Sequence, residues 1–369
     1  EEQIKPQDKS FWFHAASLGE YEQGIPIMER IKNEYPLHKI VVTFFSPSGY
    51  EVRKNNTIAD VTVYLPLDTK KNAKKFLEIV HPEKAFFIKY EYWPNYLSEL
   101  KKQNTPTYLI SGIFRENQMF FKWYGGFYRK ALDSFTYFFV QNEKSKLLLQ
   151  QLGKTNVVIS GDTRFDRVAA ILEKDNTLQF ISDFKNDTLT IVVGSSWPKD
   201  ETLLLDFINN NTLKVKFIIA PHNIKKEQIE ELKNKISRKV ILFTEMEGKN
   251  LSDYDVFIID TIGILTKIYS YADIAYVGGG FGKSGVHNLL EPATFGVPIV
   301  IGPNFSRFAE AIALVNMGGC VSVSKTSELN TIFKNLILDE AFRSEQGHIC
   351  STFVLMNKGA TNSIMNNII

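Results

Sequence analysis

Short, nearly unbroken apolar runs alternate with helix-like segments along almost the whole chain, and they fall into two successive sets. The first set lies at 11–15, 40–45, 61–65, 85–89, 107–110, 136–140 and 157–160; the second lies at 190–194, 216–220, 240–243, 256–260, 274–277 and 298–301. Runs of this kind without polar alternation mark strands buried on both faces. The helical stretches between them supply the crossovers that a parallel sheet requires. At 369 residues the chain is too long for one ordinary core and fits two domains. The expected architecture is therefore α/β, with two doubly wound Rossmann-like domains facing a central cleft. The expected limits are 1–172 and 186–350. A linker at 173–185 is suggested by the polar breaks Glu173-Lys174-Asp175-Asn176 and Lys185-Asn186-Asp187. A C-terminal helix and tail follow at 351–369, helical to Lys358 and Asn-rich beyond it.

In open parallel sheets, ligands sit beyond the carboxyl ends of the strands, so unusual residues just after strands are the ones to examine. The segment 275–292 follows one such strand and reads Ala-Tyr-Val-Gly-Gly-Gly-Phe-Gly-Lys-Ser-Gly-Val-His-Asn-Leu-Leu-Glu-Pro. Residues 280–285 match G-x-G-x-x-G, but a dinucleotide site also wants an acid at the end of the next strand. That strand ends in Gly302-Pro303. Gly282-Lys283-Ser284 resembles a phosphate-binding loop, yet the first glycine of that motif falls on Val277. A third reading fits the spacing. Gly278, Gly279, Gly280 and Gly285 let backbone approach a phosphate, with Lys283 and Ser284 at the tip and a helix N-terminus behind. Glu291, about one turn past Asn288, can accept two hydrogen bonds from a ribose. Glycine run, helix, then carboxylate is how glycosyltransferases of the GT-B type hold a sugar nucleotide. A tight turn with Glu291 as a first-turn helix acid explains the same residues, and the segment alone leaves both open.

Other strand ends carry candidate groups. Glu20 follows Gly19 at the corner His14-Ala15-Ala16-Ser17-Leu18-Gly19-Glu20, where it is either a carboxylate aimed at the ligand side or an ordinary helix-start acid. Glu91 lies among aromatics in Lys89-Tyr90-Glu91-Tyr92-Trp93-Pro94, where a carboxylate needs a donor or a cation. His222, in Ala220-Pro221-His222-Asn223, is placed to touch a donor, whereas His38, His81 and His348 look incidental. Asp253-Tyr254-Asp255 matches D-x-D but precedes a strand; it reads as a turn, and no metal is assigned. The stretch 114–130 interleaves four basic residues and one acid with seven aromatics. That mixture suits an anionic lipid surface, or else a half-buried helix with a basic edge.

Composition narrows the classes. Hydrophobic residues make up 44% and charged residues 23%, which describes a folded chain. A net charge of +2 argues against bulk nucleic-acid binding. Two cysteines, Cys320 and Cys350, exclude a disulfide framework and a cysteine-rich metal site, and they suggest a reducing compartment. No stretch approaches the roughly 20 apolar residues that span a bilayer.

Taken in order, these segments resemble the bacterial Kdo transferases, which add 3-deoxy-D-manno-octulosonic acid (Kdo) to the lipid A precursor of lipopolysaccharide. The resemblance covers nearly the whole chain. It is carried by the 14–20 corner, Ser46-Pro47-Ser48-Gly49, Leu65-Pro66-Leu67-Asp68, Glu91-Tyr92-Trp93-Pro94-Asn95 and Ser111-Gly112-Ile113-Phe114-Arg115. It continues through Gly161-Asp162-Thr163-Arg164-Phe165-Asp166, Gly194-Ser195-Ser196-Trp197, Asp260-Thr261-Ile262-Gly263, the glycine run, Asn288-Leu289-Leu290-Glu291-Pro292 and Gly302-Pro303-Asn304-Phe305. The chain departs from the family's Asn-Ala-Arg lead at Ser111-Gly112-Ile113 and from its Arg-His-Pro turn at Pro221-His222-Asn223.

The resemblance implies a CMP-Kdo donor, an inverting displacement, no metal and no other cofactor. Glu20 would be the general base, and Glu91 would hold the acceptor or support Glu20. Ser17, Gly19, Ser48, Arg115 and Arg164 would meet the acceptor or its phosphates. The glycine run, with Arg164, Lys283 or Arg115, would stabilise the departing CMP. It implies work at the cytoplasmic face of the bacterial inner membrane, through 114–130 and a membrane-anchoring segment before the first strand. With no Met at its start, the chain reads as truncated. Two rivals remain: a UDP-sugar 2-epimerase, which shares the architecture, and, from a different class, a non-catalytic sugar-nucleotide-binding partner at the membrane.

Overall fold

The structure, a computed structural model, describes residues 3–368 and only the backbone at Ser48. It divides into two compact units: Glu1–Arg167 together with Asn357–Ile369, and Val168–Met356.

The first unit is built on seven parallel strands: β1 (Ser10–His14), β2 (Lys39–Phe44), β3 (Val61–Tyr64), β4 (Pro82–Ile88), β5 (Thr107–Gly112), β6 (Tyr137–Val140) and β7 (Val157–Ile159). Their order is β3-β2-β1-β4-β5-β6-β7. The chain winds outward from β1 to β3 and then returns to β4 on the other side of β1. That reversal opens a crevice beyond the carboxyl ends of β1 and β4, where doubly wound sheets take ligands. Alternate residues of β1 feed opposite cores. Trp12 packs with Val41, Phe76, Leu77 and Tyr96, and Phe11 and Phe13 pack with Ile27, Met28, Ile364 and Met365. Burial on both faces explains why these strands read as unbroken apolar runs.

The second unit repeats the plan with β8 (Thr190–Ser196), β9 (Lys216–Pro221), β10 (Val240–Leu242), β11 (Val256–Ile258), β12 (Ile274–Val277), β13 (Ile299–Ile301) and β14 (Cys320–Ser322). The order is β10-β11-β9-β8-β12-β13-β14, so its switch point lies between β8 and β12. The two runs that start there end in Ser195-Ser196-Trp197 and in the glycine run. The last strand, β14, has three residues behind Gly318-Gly319, too short to register as an apolar run.

The limits of the units differ from the expected ones in two places. The division falls at Arg167/Val168, not in a linker at 173–185. Within that stretch Gln179–Lys185 is a helix, and its Ile181 and Phe184 are fully buried against the second unit's core. The polar residues 173–176 end a short 3-10 helix, Ala170–Glu173, and continue as irregular surface chain that mimics a linker. The C-terminus is not a tail either. Gly359, with φ +114, breaks the helix Glu340–Asn357. A new helix, Ala360–Ile368, then lays Ile364, Met365 and Ile368 on the first unit's sheet and leaves Asn362, Asn366 and Asn367 exposed. Asp166 fixes its start by accepting hydrogen bonds from Gly359 N and from Thr361 N and Oγ1.

Candidate functional site

At the first switch point, β1 ends in His14, and the helix Leu18–Glu34 starts after Ser17. Glu20 is the third helical residue. Its Oε2 accepts from Ser17 N–H at 2.8 Å and from Ser17 Oγ–H at 3.1 Å, so it satisfies a helix-end donor as a capping-box acid would. It is also only 9% exposed. Burial, then the nearby charge of Glu91, push its carboxyl above the usual range, against the hydrogen bonds from Ser17 and the charge of Lys89. Glu91 enters from the loop after β4, where Lys89 takes φ +66. Its Oε2 accepts from Trp93 Nε1–H at 2.6 Å and lies 3.1 Å from His14 Nε2.

Cations surround the neighbouring Tyr90. Arg115 donates through Nη2 to Tyr90 Oη at 3.0 Å and lies 5.4 Å over its ring; Lys89 Nζ lies 5.3 Å over the same ring. Burial raises the Tyr90 hydroxyl's pKa; the charges of Arg115 and Arg164 pull it down, and that of Glu20 pushes it up. Arg164 is held by Asp162, whose Oδ2 accepts from Nε at 2.9 Å and lies 2.8 Å from Nη2. Burial acts to raise the Asp162 carboxyl, but the charge and hydrogen bonds of Arg164, with one from Gln23, hold it below its usual value. The structure thus gathers Glu20, Glu91, Ser17, Arg115 and Arg164 at one end of one sheet. Gly19 is exposed, and nothing lies within 4 Å of where a side chain would start. Ser48 belongs to the helix Pro47–Arg53, and its side chain lies outside the described residues.

At the second switch point the glycines are required by backbone crowding. A Cβ on Gly278 would stand 2.3 Å from Ser195 O, and one on Gly280 would stand 2.6 Å from Gly302 N and Cα. Three strand ends converge here, and only glycine fits. Several amides of the run are already engaged: Gly278 N donates to Gly194 O, Gly282 N to Gly279 O, and Gly279 N to the buried Asp200. Asp200 also accepts from Tyr276 Oη–H and Trp197 N–H. The amides of Lys283, Ser284 and Gly285 have no intramolecular acceptor among the described residues. The exposed tip of the loop is braced by Arg307, which donates to Lys283 O, and by Asn304, which donates to Gly282 O. One expectation changes. The run does not open directly into a long helix: 281–289 is loop, and the helix Leu290–Thr294 has five residues. With Pro292 inside it, this helix offers little dipole, so the open amides and cations carry the anion-binding capacity.

Glu291 accepts from Asn288 Nδ2 at 3.0 Å and from Thr266 Oγ1 at 2.8 Å. His222 N donates to Ser196 O, and the His222 ring stacks on Trp197 and on His287, with 4.5 Å between centroids in each case. The Trp197 and His287 rings lie within 7° of parallel, and Trp197 Nε1–H donates to His287 Nε2 at 2.8 Å. Burial, then the charge of His222, depress His287 to about 4; burial alone lowers His222. The D-x-D segment runs from the end of a short 3-10 helix, Leu251–Asp253, to the residue before β11, with Asp255 accepting from Lys239 N. Sequence reasoning missed His14, Trp197, Asp200, His287 and Arg307. His14 and Trp197 had a signal in that both stand at strand ends, whereas Asp200 matters only because its helix folds back under the glycine run.

Comparison with known proteins places the chain in a family. Residues 1–167, the bulk of the first unit, match the family described as 3-Deoxy-D-manno-octulosonic-acid transferase (kdotransferase). A 3-deoxy-D-manno-octulosonic acid transferase of Chlamydophila psittaci is 30% identical over 335 residues, covering 87% of this chain and 76% of that protein. One of Aquifex aeolicus is 27% identical over 360 residues, covering 94% and 93%. Among solved structures, the UDP-GlcNAc 2-epimerase of Neisseria meningitidis bound to UDP-GlcNAc superposes with a TM-score of 0.66 at 14% identity, covering 98% and 99%. At that identity the likeness speaks for the GT-B fold alone. The sequence similarity establishes that the chain belongs to the 3-deoxy-D-manno-octulosonic-acid transferase family and is a glycosyltransferase.

Proposed function

We propose that this protein transfers Kdo from CMP-Kdo to a lipid A precursor by an inverting displacement, with Glu20 as general base. The observation that carries the reading is Glu20 itself: a buried carboxyl, seated by Ser17 and raised by burial and by Glu91. Such a group takes a proton from an attacking sugar hydroxyl more readily than an exposed glutamate does. Glu91 orients the acceptor or supports Glu20. Arg115 and Arg164 meet the acceptor's phosphates, arginine being suited to bidentate contact.

In the second unit, Lys283, Ser284 and Gly285 offer amides to the donor phosphate, Gly278, Gly279 and Gly280 shape the loop, and Asn288 and Glu291 hold the ribose. His222, on its platform of Trp197 and His287, contacts the donor. CMP leaves with a single phosphate, so amides and one cation, Lys283, Arg115 or Arg164, suffice without a metal.

Within 114–130, Phe114 and Phe120 are buried, while Trp123 (90% exposed) and Phe127 (63%) stand out with Tyr124 and Met119, beside Lys122 and Lys130. No helix among the described residues is long and apolar enough to cross a membrane. The aromatic and basic surface supports a lipid contact, and we assign the enzyme to the cytoplasmic face of the inner membrane. Mass spectrometry of a lipid A precursor incubated with the protein and freshly generated CMP-Kdo tests the proposal. The expected product is heavier by one or more Kdo residues; unmodified lipid beside intact CMP-Kdo would contradict it.

A further inference from the structure

The proposed chemistry uses Glu20 and Glu91 but assigns nothing to the buried chain of polar groups behind them. Trp12, Thr43 and His14 are all fully buried. Trp12 Nε1–H donates to Thr43 Oγ1 at 2.9 Å. An indole nitrogen only donates, so this contact fixes one direction, and the Thr43 hydroxyl must send its own hydrogen elsewhere. Two acceptors are in reach: Phe13 O at 3.4 Å and His14 Nδ1 at 2.8 Å. The partner on the other side of the ring decides between them: Nε2 faces Glu91 Oε2 at 3.1 Å, a carboxylate oxygen that only accepts, so Nε2 carries the hydrogen and Nδ1 is free to accept. The ring cannot turn away, because Trp93 and Phe87 meet it edge to face at 5.0 and 5.9 Å. Trp93 also donates to the same carboxylate oxygen. Oε2 therefore receives two N–H groups, and Glu91 Oε1 is left as the oxygen that a ligand can use.

We propose that His14 is a positioning residue: the relay from Trp12 through Thr43 holds the ring at Nδ1, and the N–H on Nε2 anchors Glu91 beside the general base. This rests on the reading of Glu20 as the base. Glu91's charge is one of the two influences that raise Glu20; Lys89 and Ser17 oppose it, and Tyr90 and Tyr92 are the other titratable neighbours. His14 thus acts on the reaction through the placement of Glu91 without touching substrate.

The test pairs His14→Leu, which removes the N–H, with His14→Gln, whose amide can present one at the same depth. His14→Leu should lower kcat by about 10–100-fold, the scale on which partners that orient a metal's ligands act, move the acidic limb of the kcat–pH profile and leave the KM for CMP-Kdo near wild type. His14→Gln should recover most of the rate. A Leu variant with unchanged kcat and profile, or a folded Gln variant as impaired as Leu, would overturn the proposal. Proton–nitrogen NMR of the imidazoles in the wild-type chain supplies a readout that needs no turnover. The expected signal is a hydrogen on Nε2 of His14 that shifts in Glu91→Gln; a hydrogen on Nδ1, or a signal indifferent to Glu91, would refute the relay. If the wild-type protein makes no Kdo product, the proposed function fails while the NMR result still decides the relay.

Discussion

Glu20 and His287 show how burial sets the chemistry of single side chains. A general base must be ionised to work, and Glu20 is raised by burial and by Glu91. Activity should therefore switch on with rising pH at a midpoint above the ordinary glutamate value of about 4.3. Single-turnover rates measured across acidic pH check this, and a midpoint at or below that value would contradict it. His287 is displaced the other way, to about 4. Between that value and the unfolded value of about 6.5, the unfolded chain binds a proton that the folded chain refuses. Its contribution to stability is complete above the window and declines as pH falls through it. Thermal melts from pH 7 to 4 should show this decline, and His287→Phe should flatten it. Glu20 and Glu91 were legible in sequence because each follows a buried strand at a corner. His14 was legible only as a strand residue, since its partners Thr43 and Glu91 are 29 and 77 residues away. The pairing of Trp197 with His287 spans 90 residues and was equally hidden.

At the scale of elements, convergence of strand ends explains the glycine run better than ligand contact alone. Gly280 faces the backbone of Gly302 across the gap between the ends of β12 and β13. Gly280→Ala should destabilise the fold by about 1–3 kcal/mol, the usual cost of overpacking, and should weaken CMP binding as the loop shifts. Denaturant unfolding and CMP titration measure the two effects, and an unchanged variant would show that the crowding is easily relieved. The long buried strands were readable as apolar runs, and so was the order of elements. Short pieces were not: β14 has three residues, and a loop with Pro292 close behind it left only five residues of helix after the glycines. The helix Ala360–Ile368 was obscured by its asparagines, which turn out to be its solvent face.

At the scale of the whole molecule, the sheets follow the same winding rule, and each places its unusual residues at its own switch point. The first carries carboxylates and cations, the second glycines, stacked rings and Glu291. The proposal reads that division as a base and acceptor half and a donor half. The exposed aromatics at 123–127 belong to the first unit, the unit to which the proposal gives the acceptor. Replacing Trp123 and Phe127 together with Ser should reduce cosedimentation with anionic vesicles about tenfold or more, given a few kcal/mol of lost apolar burial, while CMP affinity stays the same. Equal vesicle binding would remove this surface from the account. The central claim is that Glu20 performs the proton transfer in Kdo transfer, and the direct measurement is the turnover of Glu20→Gln beside its affinity for CMP. The account predicts a fall in kcat of about 10²–10⁴-fold with CMP binding intact; a variant that binds CMP and still transfers Kdo at the wild-type rate would contradict it.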